Sequence, residues 1–405
     1  MRACYYEMTN AISMPHEMPS LAHTDKNTLQ TNTRTASLER DLLGRSREDL
    51  RALMEEIGEP AYRGSQLYHA LYAERRLDFA VMSNLPAALR HRLTNDFRIG
   101  MPNILQRFRS NDASVRYLLR LNDAGDAQRA SVPARVEAVF MPSEGRQTIC
   151  ISTQAGCAVD CHFCLTAQLG LVRNLTPGEI LAQVLIALED RRESRAPRTN
   201  VVLMGQGEPL LNYGPVMAAL RIMLDANAMG LASRHVTLST SGIVPGIERL
   251  AQEKIRPKLA ISLNASTDEQ RDAIMPINRR YPLAALLAAC RQYPLRPWER
   301  LTFEYVLLGG FNDSPQDAHR VAGLVSGLRA KVNLIPWNPG ELPYRPPAAE
   351  RVTEFRDVLS AKGIPTFVRN SRGQDVCAAC GQLALSEAGP VVFTITPTPR
   401  LIPSA

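Results

Sequence analysis

Residues 156–164 read Gly156-Cys-Ala-Val-Asp-Cys-His-Phe-Cys164 and place Cys157, Cys161 and Cys164 in a Cys-x3-Cys-x2-Cys pattern. Thiolates at these short intervals can hold a cuboidal 4Fe-4S cluster from one loop, because soft sulfur ligands suit iron–sulfur chemistry. Three ligands leave one iron open, where the amine and carboxylate of an amino acid can bind. A structural zinc site is the alternative, but zinc needs a fourth ligand, and the nearest donor, His162, stands awkwardly between two of the cysteines.

A repeated β-α pattern surrounds this loop. From Thr148 onward, short apolar runs alternate with longer amphipathic stretches, which is typical of helices packed around a parallel sheet. We predict an α/β fold in which six or so parallel strands form a partial (βα)6 barrel, with the chemistry in loops after the strands' C-terminal ends. The predicted strands are 147–152, 200–204, 235–239, 258–263, 300–307, 331–335 and 366–369, and the predicted helices are 177–193, 215–226, 244–253, 283–292, 315–328 and 348–362.

The rest of the chain is predicted to add smaller regions to this core. The polar N-terminus lacks apolar periodicity, so we expect it to be disordered. Helices starting at Ser46 and covering 63–73 and 86–93 predict a small helical domain, and alternating apolar and polar residues after it predict hairpin strands. The predicted regions are the extension, 1–37; the helical accessory domain, 38–100; the β-hairpin linker, 101–147; the core, 148–388; and the tail, 389–405.

Composition is that of a folded, water-soluble protein, with 45% hydrophobic and 21% charged residues among 405. The net charge of +7 suits a polyanionic partner without requiring one. We find no run of roughly 20 apolar residues that could span a bilayer and no signal peptide, so we expect a cytoplasmic protein without a membrane partner. In that reducing compartment, the eight cysteines are better interpreted as metal ligands or reactive thiols than as disulfides.

The cysteine spacing, with Phe163 before the last cysteine, resembles the signature of the radical S-adenosylmethionine (SAM) superfamily. The loop 204–209, Met-Gly-Gln-Gly-Glu-Pro, resembles the superfamily's Gly-Gly-Glu element, which implies that Gly207 and Glu208 meet the SAM amine. A tight turn would explain this loop alone equally well. Small polar groups after later strands are plausible partners for a ribose and an adenine, although each could be only a cap or turn residue. These candidates are Ser239, Ser262, Leu263, Asn264 and Asn338.

A narrower resemblance comes from Cys150, seven residues before Cys157, and from Cys377-Ala-Ala-Cys380-Gly-Gln-Leu near the C-terminus. With several further motifs in the right order, the chain from about Leu42 to Leu385 resembles the RlmN/Cfr family of radical SAM RNA methyltransferases. The further motifs are Glu137, 207–212, 236–242, 333–339 and Arg372-Gly.

The resemblance implies a mechanism for methylating carbon 2 of adenine, an electrophilic carbon that ordinary attack on a SAM methyl cannot modify. One SAM would methylate Cys380, and a second, on the open iron, would yield a 5′-deoxyadenosyl radical that takes hydrogen from the S-methyl group. The methylene radical would add to adenine, giving a covalent protein–RNA adduct. Glu137 would accept a proton. Cys150 would then attack the sulfur of Cys380, releasing the product and leaving a transient disulfide that reductants restore.

The family further implies 23S rRNA and tRNA substrates, with the adenine beside the anticodon in tRNA, one cluster per chain, an electron donor such as a flavodoxin or ferredoxin system, and a monomer. Methylation of carbon 8, as in Cfr, is the nearest alternative, and the helical N-terminal domain favours carbon 2. A radical SAM activase acting on a protein would not need Cys150 or Cys380. A zinc or RNA-binding module would show no SAM turnover.

Three of these residues also have ordinary structural explanations. Cys150 lies on a predicted strand and could be a buried core thiol. Cys377 and Cys380 could form a second metal or redox pair. Glu137 could be a solvated strand residue.

Overall fold

The computed structural model describes residues 40–122, 134–194, 196–339 and 341–385. The extension predicted at 1–37 and the tail predicted at 389–405 lie outside the described residues. Within them, no helix is long and apolar enough to cross a membrane.

The N-terminal part contains the three predicted helices. They are α1 (Arg47–Glu56), α2 (Tyr62–Tyr72) and α3 (Ala87–Asp96). Ser46 caps α1, because its hydroxyl accepts from the Asp49 N–H and its own N–H donates to the Asp49 carboxylate. A Cβ at Gly64 would lie 2.4 Å from the carbonyl oxygen of Leu50, so α1 and α2 approach each other backbone to backbone.

The described strands form a ten-stranded sheet and a separate pair, β5 and β6. The order in the large sheet is β1-β2-β3-β4-β7-β8-β9-β10-β11-β12, antiparallel up to β4 and parallel beyond it. The strands are β1 (Asn103–Arg109), β2 (Val115–Arg120), β3 (Arg135–Ser143), β4 (Arg146–Cys150), β5 (Gln154–Gly156), β6 (Leu171–Asn174), β7 (Thr199–Leu203), β8 (Val236–Thr240), β9 (Lys258–Ser262), β10 (Leu301–Leu307), β11 (Ala330–Pro336) and β12 (Thr366–Val368).

Helices cover the outer face of the parallel strands. They are α4 (Leu165–Gln168), α5 (Pro177–Asp190), α6 (Tyr213–Leu224), α7 (Val244–Ala251), α8 (Asp268–Ile274), α9 (Leu283–Gln292), α10 (Pro315–Val325) and α11 (Ala349–Ala361). Strand–helix units from β4 to α11, followed by the edge strand β12, make the predicted partial barrel.

Four short elements, β5, β6, α4 and α8, were not predicted. Each has three to seven residues, too few for a periodic pattern. The proposed boundary between linker and core at 147/148 falls inside β4, where Gln147 pairs with Pro142 of β3 on one side and Thr199 of β7 on the other. The sheet therefore continues across that boundary, and the division into regions stays a prediction.

Candidate active site

The interior face of the barrel carries a row of polar side chains. Ser262, Glu304 and Asn333 are in register across β9, β10 and β11, and the Asn333 amide donates to the Glu304 carboxylate at 2.9 Å. Glu304 is buried, and burial raises the pKa of its carboxyl. Sequence reasoning missed Glu304, because one acidic residue inside an apolar strand belongs to no motif.

The three-cysteine loop lies at the carboxyl end of β4, between β5 and α4. The Cys157 N–H donates to the Gly170 carbonyl at 2.9 Å, and the Cys164 N–H donates to the Cys161 carbonyl at 3.0 Å. An apolar cluster packs against Cys161 and Cys164. It contains Phe163, Ile274, Met275, Leu308, Trp337 and Leu342.

The electrostatics of this loop suit an iron–sulfur cluster. Burial raises the pKa of all three thiols, that of Cys157 to about 12, and the thiolate charges oppose one another. Binding to iron would relieve both effects. No group of three or more His, Cys, Asp or Glu side chains in the described ranges could hold a single metal ion, which does not favour the zinc alternative. Cysteines around a cuboidal cluster each bind a different iron and need not converge on one point.

The glycine-containing loop after β7 holds Glu208 firmly. One carboxylate oxygen accepts from the backbone and hydroxyl of Ser241 at 2.7 and 2.8 Å, and the other accepts from the Leu210 N–H at 3.0 Å. Burial nevertheless raises the pKa of Glu208. Each carboxylate oxygen has two lone pairs, so the one facing Leu210 can accept a further donor such as an ammonium group.

Gly207→Ala should weaken SAM binding by distorting this loop. Gly207 has φ +98°, and a Cβ there would lie 2.7 Å from the backbone nitrogen of Gln154. Gly145→Ala is the matched control, because Gly145 also has positive φ but open space around it. We expect Gly145→Ala to cost about 1 kcal/mol of unfolding free energy and to leave SAM affinity unchanged. Calorimetric titration with SAM measures the difference, and equal SAM affinities in the two variants would contradict it.

Arg271 of α8 is a site residue that sequence reasoning missed. Its fully buried guanidinium donates to the carbonyls of Ser241, Ser262 and Leu263 at 2.6, 3.1 and 3.0 Å. Burial lowers its pKa to about 10, and the nearby Cys161 thiolate counteracts that effect. Arg271 thus joins the ends of β8 and β9 beside the cysteine loop. An arginine in a short, charged helix gives no sign in the sequence that it is buried.

Asn264, predicted to contact SAM, uses its amide within the protein. Its Oδ1 accepts from the Val306 N–H at 2.9 Å, and its Nδ2 lies 3.3 Å from the Met275 sulfur. The other candidates at these strand ends differ in exposure. Ser239 and Ser262 are half-buried, and Leu263 is buried.

Asn338, also predicted to contact SAM, binds the segment that carries Cys380. Its Nδ2 donates to the Cys380 carbonyl at 3.1 Å, and its Oδ1 accepts from the Gln374 amide at 2.8 Å. We call residues 369–385, which follow β12, the C-terminal segment. The N–H of Leu165 donates to the Gly381 carbonyl at 2.9 Å, so this segment also touches the cysteine loop.

The far side of the C-terminal segment is attached to the hairpin between β1 and β2. The Ser110 hydroxyl and the Asn111 N–H donate to the Asp375 carboxylate at 2.6 and 3.0 Å. The Gly373 N–H donates to Asp112 at 3.1 Å. The C-terminal segment therefore runs from the last parallel strand to the antiparallel part of the sheet.

Cys380 and Cys150 lie in one neighbourhood. Cys380 is exposed to solvent, yet burial raises the pKa of its thiol to about 11, so the thiol lies in a recess surrounded by protein. Cys150 is buried and packs with Ala378 and Leu383 of the C-terminal segment. Each of the two thiols lies in a region of unfavourable charge: the Cys380 thiolate raises the pKa of Cys150, and Glu304 raises that of Cys380.

Glu137 is not a solvated strand residue. It is fully buried on β3 and forms an ion pair with Arg116 of β2, which is also fully buried. Its second carboxylate oxygen accepts from the Leu385 N–H at 3.1 Å, and its own N–H donates to the Gln206 side chain at 3.1 Å. Cys377 lies close enough for Glu137 and Arg116 to act on its pKa. The C-terminal segment thus covers Glu137.

Comparisons with known proteins agree with this geometry. Residues 151–322 match the family model of the radical SAM superfamily, and residues 40–99 match that of the ribosomal RNA large subunit methyltransferase N-terminal domain. The chain is 48% identical to a probable dual-specificity RNA methyltransferase RlmN of Koribacter versatilis, over 82% of this chain and 99% of the relative. It is 47% identical to the RlmN of Anaeromyxobacter dehalogenans, over 86% of this chain and 93% of the relative.

A solved structure agrees as well. The crystal structure of a radical SAM methyltransferase from Sphaerobacter thermophilus superposes with a TM-score of 0.80 at 41% identity, over 85% of this chain and 99% of that one. The fold and the cysteine loop, taken with these matches, define a radical SAM methyltransferase. Within that class, the chain belongs to the RlmN family of RNA methyltransferases.

Proposed function

We propose that this enzyme methylates carbon 2 of adenine in 23S rRNA and, beside the anticodon, in tRNA, with Cys380 as methyl carrier and Cys150 as the thiol that releases the product. One observation carries this proposal: Cys150, from the start of the core, packs against the segment that bears Cys380. An enzyme that used only the three-cysteine loop would have no need for two further thiols in one recess. The dual specificity named for the relatives supports two kinds of RNA substrate.

The donor set and its burial support one 4Fe-4S cluster per chain, held by Cys157, Cys161 and Cys164. When bound, the cluster and two SAM molecules per turnover would supply the methyl group and the one-electron chemistry that an electrophilic ring carbon requires. Gly207, Glu208, Ser239, Ser262, Leu263, Asn264 and Asn338 remain the proposed SAM contacts. For Asn264 and Asn338 we propose a second task, since their amides also hold the surrounding loops.

The chain's own residues then have distinct tasks. Asn338 holds the Cys380 carbonyl, so the Cys380 sulfur keeps its place in the recess. Burial keeps the Cys150 thiol protonated, which protects it from alkylation until its proton is removed. Glu137 would accept the proton lost from the adenine carbon, but it must first be uncovered, because Arg116 and Leu385 now occupy its oxygens.

The remaining partners are proposed by analogy of chemistry. A radical enzyme needs a one-electron donor, which we propose to be a flavodoxin or ferredoxin system. We also propose that the protein acts as a monomer in the cytoplasm. Methylation of carbon 8 is the competing outcome for the same two cysteines, and the product distinguishes it.

The test is anaerobic reconstitution with iron and sulfide, followed by SAM, reductant and unmodified RNA, with mass spectrometry of the nucleosides. We expect 2-methyladenosine from the wild type and none from Cys380→Ala, which should still cleave SAM. A product of 8-methyladenosine would replace carbon 2 by carbon 8. SAM cleavage by the wild type without any methylated adenosine would refute the proposed reaction.

A further inference from the structure

The interior face near the barrel's open edge carries three cations and one aromatic ring. Lys258 lies on β9, Lys331 on β11, Phe367 on β12, and Arg369 two residues beyond Phe367; we call these four residues the interior strip. Val332, between Lys331 and the interior residue Asn333, packs into the helical core, so Lys331 faces the interior. The Lys331 ammonium lies 5.7 Å from the centre of the Phe367 ring, which places Phe367 on the same face.

The charges of the strip are poorly balanced. Within the described ranges, none of the three cations forms an ion pair with a carboxylate at 4.0 Å or less. Glu304 is the acid nearest to Lys331, and it is already bound by Asn333. Burial lowers the pKa of Lys258 and Lys331, and the charge of Arg369 lowers both further. Like charges held together in a half-buried cleft favour an anionic ligand that compensates them.

The aromatic ring adds a second kind of recognition. Phe367 is 53% exposed although it faces the barrel interior, because β12 is the edge strand of the sheet. An exposed ring beside cations is the arrangement with which proteins bind single-stranded nucleic acids: bases stack on the ring and phosphates meet the cations.

The interior strip also reaches the recess of the methyl carrier. The charge of Arg369 and that of Glu304 both act on the Cys380 thiol, so both side chains lie near it. The Arg369 N–H continues the ladder from β12 by donating to the Leu334 carbonyl at 2.8 Å. A strand of RNA whose adenine reaches Cys380 would therefore lie with its neighbouring nucleotides along the strip.

We propose that the interior strip is a binding site for the RNA strand beside the target adenine, with a neighbouring base stacked on Phe367 and its phosphates held by Lys331, Arg369 and Lys258. This inference rests on the proposed function, because it takes RNA as the substrate. It deepens that function by assigning the nucleotides next to the target to the open edge of the barrel.

Binding of an unmodified RNA stem-loop with an adenine in its loop tests the cations. Lys331→Gln and Arg369→Gln should each reduce the slope of log Kd against log salt by about one, as for the loss of one phosphate contact. Lys362→Gln, at an exposed position after α11, is the matched control and should not change the slope. Unchanged slopes in both strip variants would overturn the proposal.

An abasic nucleotide tests the ring. Phe367→Leu should raise the Kd roughly tenfold for intact RNA, as for the loss of one stacked base. The loss should vanish when the neighbour of the target adenine is abasic on the side that occupies the strip. Trp298→Leu, which removes another ring that is 51% exposed, should have no effect. A Phe367→Leu defect that persists with abasic RNA on either side indicates a folding effect and overturns the stacking assignment.

A control reaction separates this proposal from the proposed function. The strip variants should still acquire one methyl group on Cys380 from SAM without RNA, measured by the mass of the intact protein. If the wild type neither binds nor methylates RNA, the proposed function fails. If the wild type does both and the strip variants match it in affinity and salt dependence, the strip assignment alone fails.

Discussion

Cys150→Ala should stop turnover after the enzyme has attached itself to its RNA. Methylated adenosine should fall to background while a covalent protein–RNA species accumulates, because no thiol remains to attack the Cys380 sulfur. The packing of Cys150 against Ala378 and Leu383 leaves it next to the segment that bears Cys380. Denaturing gel electrophoresis with labelled RNA measures the adduct.

Two further variants define this result. The double variant Cys150→Ala with Cys380→Ala should form no adduct, since the carrier is gone. Cys290→Ala removes a thiol that is equally buried but lies on α9 in the main core, and it should turn over normally. Normal turnover by Cys150→Ala would show that Cys150 is only a core residue and that another group releases the product.

Arg116→Met should strongly destabilise the folded protein. Arg116 and Glu137 are both fully buried, and removing one partner leaves the other as an uncompensated charge, which costs about 3–5 kcal/mol of unfolding free energy. The face of the guanidinium also lies 3.9 Å from the centre of the Phe108 ring, and that contact is lost as well. Denaturant unfolding monitored by circular dichroism gives the free energy.

The controls separate the buried charge from the lost packing. Arg116→Met with Glu137→Gln removes both charges and should recover most of the loss. Arg107→Met breaks the more exposed pair with Asp190, 3.0 Å apart, and should cost less than about 1 kcal/mol. Equal costs for Arg116→Met and Arg107→Met would mean that Glu137 is open to solvent rather than covered by the C-terminal segment.

How far the sequence reached depended on the range of the signal. Helices such as α9 and α10 and the strands of the barrel were predicted to within a few residues, because their periodicity and caps are local. The three-residue strand β5 was missed, because it exists only through its pairing with β6 after the cysteine loop closes.

The site shows the same limit. The cysteine loop and the loop of Glu208 are contiguous motifs and could be predicted. The burial of Glu137 depends on Arg116 from another strand, and the role of Arg271 depends on carbonyls from two strand ends, so no local pattern announces either. The amides of Asn264 and Asn338 were correctly placed at strand ends, but their bonds to Val306 and Cys380 are tertiary contacts.

The attachment of the C-terminal segment has a kinetic meaning. Its bonds to Asp112 and Asp375 are few and solvent-accessible, so they can break and re-form without unfolding the barrel. Cys380 is therefore a tethered reagent, fixed to the protein on both sides and free to present one sulfur to different reactants in turn. Tethering gives each of those encounters an effective molarity that no dissolved thiol in a cell reaches, so the order of events is set by the reach of this short stretch of chain.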